Sequence, residues 1–131
     1  MITKNIESLS AFRADHYNAV ALGGSGNCKI MLVCLEPGQF IPVHQPRIDL
    51  CLLILDGNGI LSDGQTEQKA GPGDLLFCVA GESRGVMAET RVVALAIVTP
   101  PPGPQDHEKV KRMLQEGRWR DADSNHIAGK A

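Results

Sequence analysis

Aromatic residues are scarce in this chain, at 4 % of 131 positions. So few rings leave no stacking platform for nucleic-acid bases. Charge of one sign is not concentrated either. The formal net charge is −2, with both signs interspersed, so no basic stripe points to nucleic acid and no block of carboxylates points to an acidic tail. Long hydrophobic runs are missing. Residues 92–98 (VVALAIV) make one of the longest, well short of the roughly 20 residues a membrane helix needs. The opening MITKNIESLSAFRAD holds no apolar core of a signal peptide. The four cysteines, Cys28, Cys34, Cys51 and Cys78, form no CxxC pair, which argues against a zinc knuckle. Three of them sit inside apolar runs, as reduced, buried thiols of a cytoplasmic protein do; a disulfide or a reactive thiol is the alternative. No G-x-S-x-G or Cys–His arrangement suggests a hydrolase. The GGSGN stretch at 23–27 lacks the lysine of a phosphate-binding loop.

What is present reads as strand, turn, strand. Residues 1–27 form an N-terminal lead-in segment with loosely spaced Ile6, Leu9 and Phe12. From residue 28 to 103 short apolar runs alternate with turn chemistry: KIMLVCL, then Pro37-Gly38; LCLLIL, then Asp56-Gly57-Asn58-Gly59; a further turn at Asp63-Gly64; LLFCVA, then Gly81; RVVALAIV, then three prolines. The DGNG and DG segments are hairpin signals. Several runs are apolar at every position, whereas a strand with one solvated face alternates. Both faces must therefore be covered. One fills a two-sheet barrel and the other meets a second subunit, which predicts a homodimer, unless the chain's own ends cover it.

Residues 104–131 change character. Asp106 is placed to cap a helix. Val110, Met113 and Leu114 make an apolar stripe at helical spacing, Glu108 and Arg112 form an i,i+4 pair, and Gly117 is a natural stop. The expectation is one amphipathic helix covering apolar surface, followed by a frayed polar end from Asp121.

Two stretches carry a resemblance. Pro37–Gly59 (PGQFIPVHQPRIDLCLLILDGNG) and Gly71–Arg84 (GPGDLLFCVAGESR) together resemble the two sequence motifs of the cupin family. The likeness implies an all-β, double-stranded β-helix (jelly-roll) barrel with one C-terminal α-helix, and in most such proteins a metal held by three histidines and a glutamate. In the first motif Gly38, His44 and Gly57 match. Pro46 stands at the second histidine position and Leu50 at the glutamate position. In the second motif Gly73 and Gly81 match, Val79 replaces a proline, and Arg84 stands at the histidine position. Residues two apart on a strand share a face, which is why an HxH pair supplies two ligands. A proline, a leucine and a guanidinium supply none.

The resulting expectation is a metal-free, cofactor-free barrel that binds a small molecule. His44 and Arg84 are the candidate ligand-binding residues, and their chemistry suits a carboxylate or another small anion. Alternatively, Arg84 pairs with a rim carboxylate such as Glu82 or Glu89, and His44 is a hydrogen-bonded core histidine. Two other function classes stay open. One is an enzyme: either a metal-free isomerase or epimerase with His44 as base, or a dioxygenase whose metal site is rebuilt with Cys51 or Cys78. Strand parity sends Cys51 and Asp49 away from His44, and the only tyrosine, Tyr17, lies outside the barrel stretch. The other is an interaction protein whose barrel is plugged by Leu50, Leu52 and Ile54. His16, His107 and His126 are weak site candidates.

Overall fold

A computed structural model describes residues 1–120. Two antiparallel sheets face one another across the core. The five-stranded sheet has the order β1 (Asn18–Gly24), β2 (Lys29–Leu35), β9 (Val92–Thr99), β4 (Asp49–Asp56), β7 (Leu75–Cys78). The four-stranded sheet runs β3 (Phe40–His44), β8 (Arg84–Ala88), β5 (Gly59–Ser62), β6 (Glu67–Ala70). The core between them is aliphatic, with Leu35, Leu52, Ile54 and Val92 at most 2 % exposed. Each such side chain contributes about 1.5–3 kcal/mol of burial.

The barrel begins earlier than the sequence suggests. β1 lies within the segment assigned to a lead-in, yet it pairs with β2 from Asn18↔Cys34 to Gly24↔Lys29. Alanine and glycine fill four of its seven positions, and they are weak strand formers. The GGSGN loop closes this first hairpin, with Ser25 N–H donating to the Cys28 carbonyl at 2.9 Å.

The DGNG segment is not a hairpin turn, contrary to its sequence signal. β4 and β5 belong to different sheets. Gly57, at φ +86°, carries the chain across the barrel, and a β-carbon there would collide with the Arg91 carbonyl. The corner is tied to the β8–β9 connection instead. Asn58 N–H donates to Thr90 Oγ1 (2.9 Å), and the Asn58 carbonyl accepts from Glu89 N–H (3.0 Å) and Thr90 N–H (3.1 Å). Asp63-Gly64 does close a hairpin, between β5 and β6.

The continuous apolarity of the strands is resolved unevenly. Ile6, Leu9 and Phe12 fold over the outer face of the five-stranded sheet and pack against Leu22, Leu32 and Cys34. That accounts for the β1–β2–β9 side. On the β4–β7 side Leu75 and Phe77 stay exposed.

Helix α1 spans Pro104–Gln115. It starts two residues before the expected cap at Asp106, because proline fits a first helical turn, where its missing N–H costs nothing. Gly117 ends it as expected, at φ +68°. Arg118 N–H reaches back to the Met113 carbonyl (2.8 Å) and Gly117 N–H to that of Leu114 (3.2 Å), a Schellman closure. The chain then passes the open edge of β3, where Val43 N–H donates to the Trp119 carbonyl at 2.6 Å. The expected frayed end and His126 lie outside the described residues. No helix among the described residues is long and apolar enough to cross a membrane.

Candidate functional site

Between the sheets lies a cavity of about 410 Å³. Alternation along each strand decides what enters it. From β4 come Leu50 and Leu52, from β9 Ala96 and Val98, and from β2 Met31 and Val33. These give the cavity an aliphatic body. His107, Val110 and Leu114, one stripe of α1, close it. The tail helix therefore covers the barrel rather than a distant surface. Leu50 and Leu52 narrow the barrel interior without filling it.

The four positions at which the two motifs would hold a metal come together in the fold. His44, Pro46, Leu50 and Arg84 all line this cavity. His44 and Arg84 are register partners on β3 and β8. The donor set does not fit a metal. Pro46 and Leu50 have no donor atom, and the guanidinium is permanently cationic. Among the described residues no group of three or more His, Cys, Asp or Glu side chains could hold an ion. Cys51 faces outward, opposite Phe77 and Ile97, as parity predicts. Cys78 sits across from Leu50 on the inward face, buried. Burial pushes its thiol above the ordinary value, with the Arg84 charge pulling the other way. Among the described residues neither cysteine joins a ligand set.

Arg84 is 3 % exposed. Its guanidinium donates to three carbonyls: Ile48 (2.9 Å), Val79 (2.8 Å) and Glu82 (3.2 Å). These lie at the start of β4, after β7 and in the turn before β8. Glu82 engages Arg84 through its backbone carbonyl. The Glu82 carboxylate accepts from Val79 N–H, and Glu89 faces Lys69 at 3.7 Å. Arg84 is thus first a clamp on three strand ends.

His44 is buried, and its Nδ1 lies 2.7 Å from the Pro42 carbonyl. A carbonyl only accepts, so Nδ1 carries the proton in that contact. Pro42 interrupts β3, an edge strand, where a missing ladder donor is tolerated. Asp49 is no partner of His44; its Oδ1 accepts from Ala80 N–H at 2.8 Å.

Sequence reasoning missed Tyr17. It lies just ahead of β1, lines the cavity together with His16 and Asn18, and packs against the core. Burial raises its phenol above 10.0, so it remains a neutral donor. The available signal was the alternation of Val20 and Leu22 with small residues in NAVALGG, which makes the stretch a strand and its start a barrel wall. Lys29 of β2 also reaches the lining.

No protein-family model and no curated protein matches this chain. Solved structures do. A protein of Thermus thermophilus superposes with a TM-score of 0.74 at 26 % identity, covering 78 % of this chain and 100 % of its own. An RmlC-like cupin of Desulfovibrio desulfuricans gives 0.70 at 27 %, covering 77 % and 98 %. The chain folds as a small cupin domain. A Klebsiella pneumoniae protein with a double-stranded β-helix domain, at 15 % identity and a TM-score of 0.69 over 75 % of this chain and 89 % of its own, shares the fold alone. This cupin keeps the turn glycines of both motifs, while three of its four ligand positions carry side chains unsuited to a metal.

Proposed function

We propose that this cupin binds a small organic acid with an apolar body inside its barrel, without a metal. The observation that carries the reading is the lining: Lys29, His44, Arg84 and Tyr17 stand together among aliphatic side chains. Cationic and N–H or O–H donors favour an anionic head, and Leu50, Leu52 and Val98 favour an apolar remainder. About 410 Å³ suits a ligand of roughly ten to fifteen non-hydrogen atoms.

A second reading, acid–base catalysis without a metal, draws on Tyr17, a neutral phenol in the same cavity as His44. It requires the bound acid to be turned over, so product analysis after incubation separates it from binding alone.

A thermal-shift panel tests the primary reading. Aliphatic and aromatic monocarboxylates are compared with their primary amides. At a hundredfold excess over its dissociation constant a ligand adds about 2.7 kcal/mol, or about 10 °C for a domain of this size. Carboxylates shifting and amides not shifting is the expected result. No carboxylate shifting, or amides shifting equally, would remove the anion from the proposal.

A further inference from the structure

Four strand edges bound the two sheets, and three of them are blunted. β6 presents exposed Glu67, Gln68 and Lys69. β3 is covered where Val43 meets Trp119. β1 carries a bulge between Ala21 and Gly23. Charge, cover and bulges are the usual protections against edge-to-edge pairing. β7 has none of them within Leu75–Cys78.

The phase of its ladder can be worked out. Ile54 N–H donates to the Asp74 carbonyl (3.0 Å), and Gly73 N–H to that of Ile54 (2.8 Å), across a bulge with Gly73 at φ +91°. Hydrogen-bonded pairs with β4 then fall at Leu52–Leu76 and Leu50–Cys78 in the observed register. The N–H and C=O groups of Leu75 and Phe77 point away from β4. No hydrogen bond among the described residues reaches them. Their side chains are exposed too, at 59 % and 60 %. Behind them stand Leu53 and Cys51, then Leu95 and Ile97, in two cross-strand rows. The lead-in segment that covers the rest of this face stops short of β7.

We propose that a second copy of this chain docks on β7, antiparallel across a two-fold axis, so that two five-stranded sheets join edge to edge. One register uses every open group. Leu75 of each copy faces Phe77 of the other, both pairs exchange two backbone hydrogen bonds, and the apolar side chains meet on one face. Shifting the register toward Val79 fails, because its N–H already donates to Glu82 and its carbonyl already accepts from Glu82 and Arg84. The contact is isologous, so it closes at two copies. Charge does not oppose it. The two Asp74 side chains end four strand positions apart, about 14 Å, beyond a Debye length of about 8 Å. A single edge with its flanking patch buries less than the roughly 800 Å² per partner of a standard interface. The pairing is therefore concentration-dependent, on the order of micromolar.

Sedimentation of the full chain from about 1 to about 200 μM brackets that affinity. The mass is expected to rise from one copy to two and stop there. Phe77→Lys and Leu75→Lys alter exposed side chains, so each keeps the parent's melting temperature while weakening pairing at least about tenfold. Amide exchange at Leu75 and Phe77 slows as concentration rises in the parent and not in either variant. A single-copy mass throughout, a dimer that both lysine variants leave intact, or fast exchange at both amides within the dimer would each overturn the proposal.

Discussion

Replacing Arg84 by methionine is the most revealing single change. Methionine keeps much of the packing volume and removes the guanidinium donors to Ile48, Val79 and Glu82. Val79 keeps another donor, Glu82 N–H at 3.1 Å. The carbonyls of Ile48 and Glu82 lose this donor beside a side chain that is 3 % exposed. Two such carbonyls at about 1–3 kcal/mol each, less some repair by water, give a loss of about 2–5 kcal/mol. For a domain of this length that lowers the melting temperature by about 7–18 °C. Arg84→Lys keeps the charge but not the fork, so it recovers less than half. Urea unfolding followed by circular dichroism reads both, and the slope should stay constant if the native fold is retained. If Arg84 served only a ligand, removing a buried cation would leave stability unchanged or raise it. A methionine variant within about 0.5 kcal/mol of the parent would refute the clamp.

Three other outcomes follow from the same geometry. The one tyrosine permits a clean titration: absorbance near 295 nm should show Tyr17 ionising above 10.0 in the native protein and at about 10 in denaturant. Its folded value is raised, so its stabilising share is intact below about 10 and lost as pH rises through the folded value; native ionisation at the ordinary value would contradict its burial. Gly57→Ala places a β-carbon against Arg91 at positive φ and should cost more than about 2 kcal/mol in a denaturant melt; a loss under about 0.5 kcal/mol would contradict it. A thiol reagent should label Cys28 and Cys51, both half-buried, well before the buried Cys34 and Cys78, whose thiols burial raises; equal rates for all four would contradict that.

The barrel was legible because strand chemistry and turn chemistry agree over residues 28–99. KIMLVCL, LCLLIL and RVVALAIV are β-branched and leucine-rich, and the motif glycines all take positive φ. β1 was only faintly legible: Val20 and Leu22 alternate with small residues, but alanine and glycine are weak strand formers, and its membership comes from pairing with β2. The DGNG segment misled because local turn chemistry does not say which strand the chain meets next; Gly57 answers to Arg91, thirty-four positions on. The site was half legible. Motif spacing placed His44 and Arg84 together, and strand parity removed Cys51 and Asp49 correctly. That Arg84 spends its fork on carbonyls depends on three loops converging, which no local pattern records. Tyr17 was set aside for being outside the barrel stretch, and it re-entered with β1.

The barrel is proposed to recognise an anion with its own side chains. Titration calorimetry in excess EDTA, with the best carboxylate from the thermal-shift panel and its primary amide, puts that to the test. The prediction is one-to-one binding of the carboxylate, unchanged by chelator and at least about tenfold tighter than the amide, a difference of about 1.4 kcal/mol. Binding that vanishes in EDTA and returns with a divalent metal, or that ignores the ligand's charge, would contradict it.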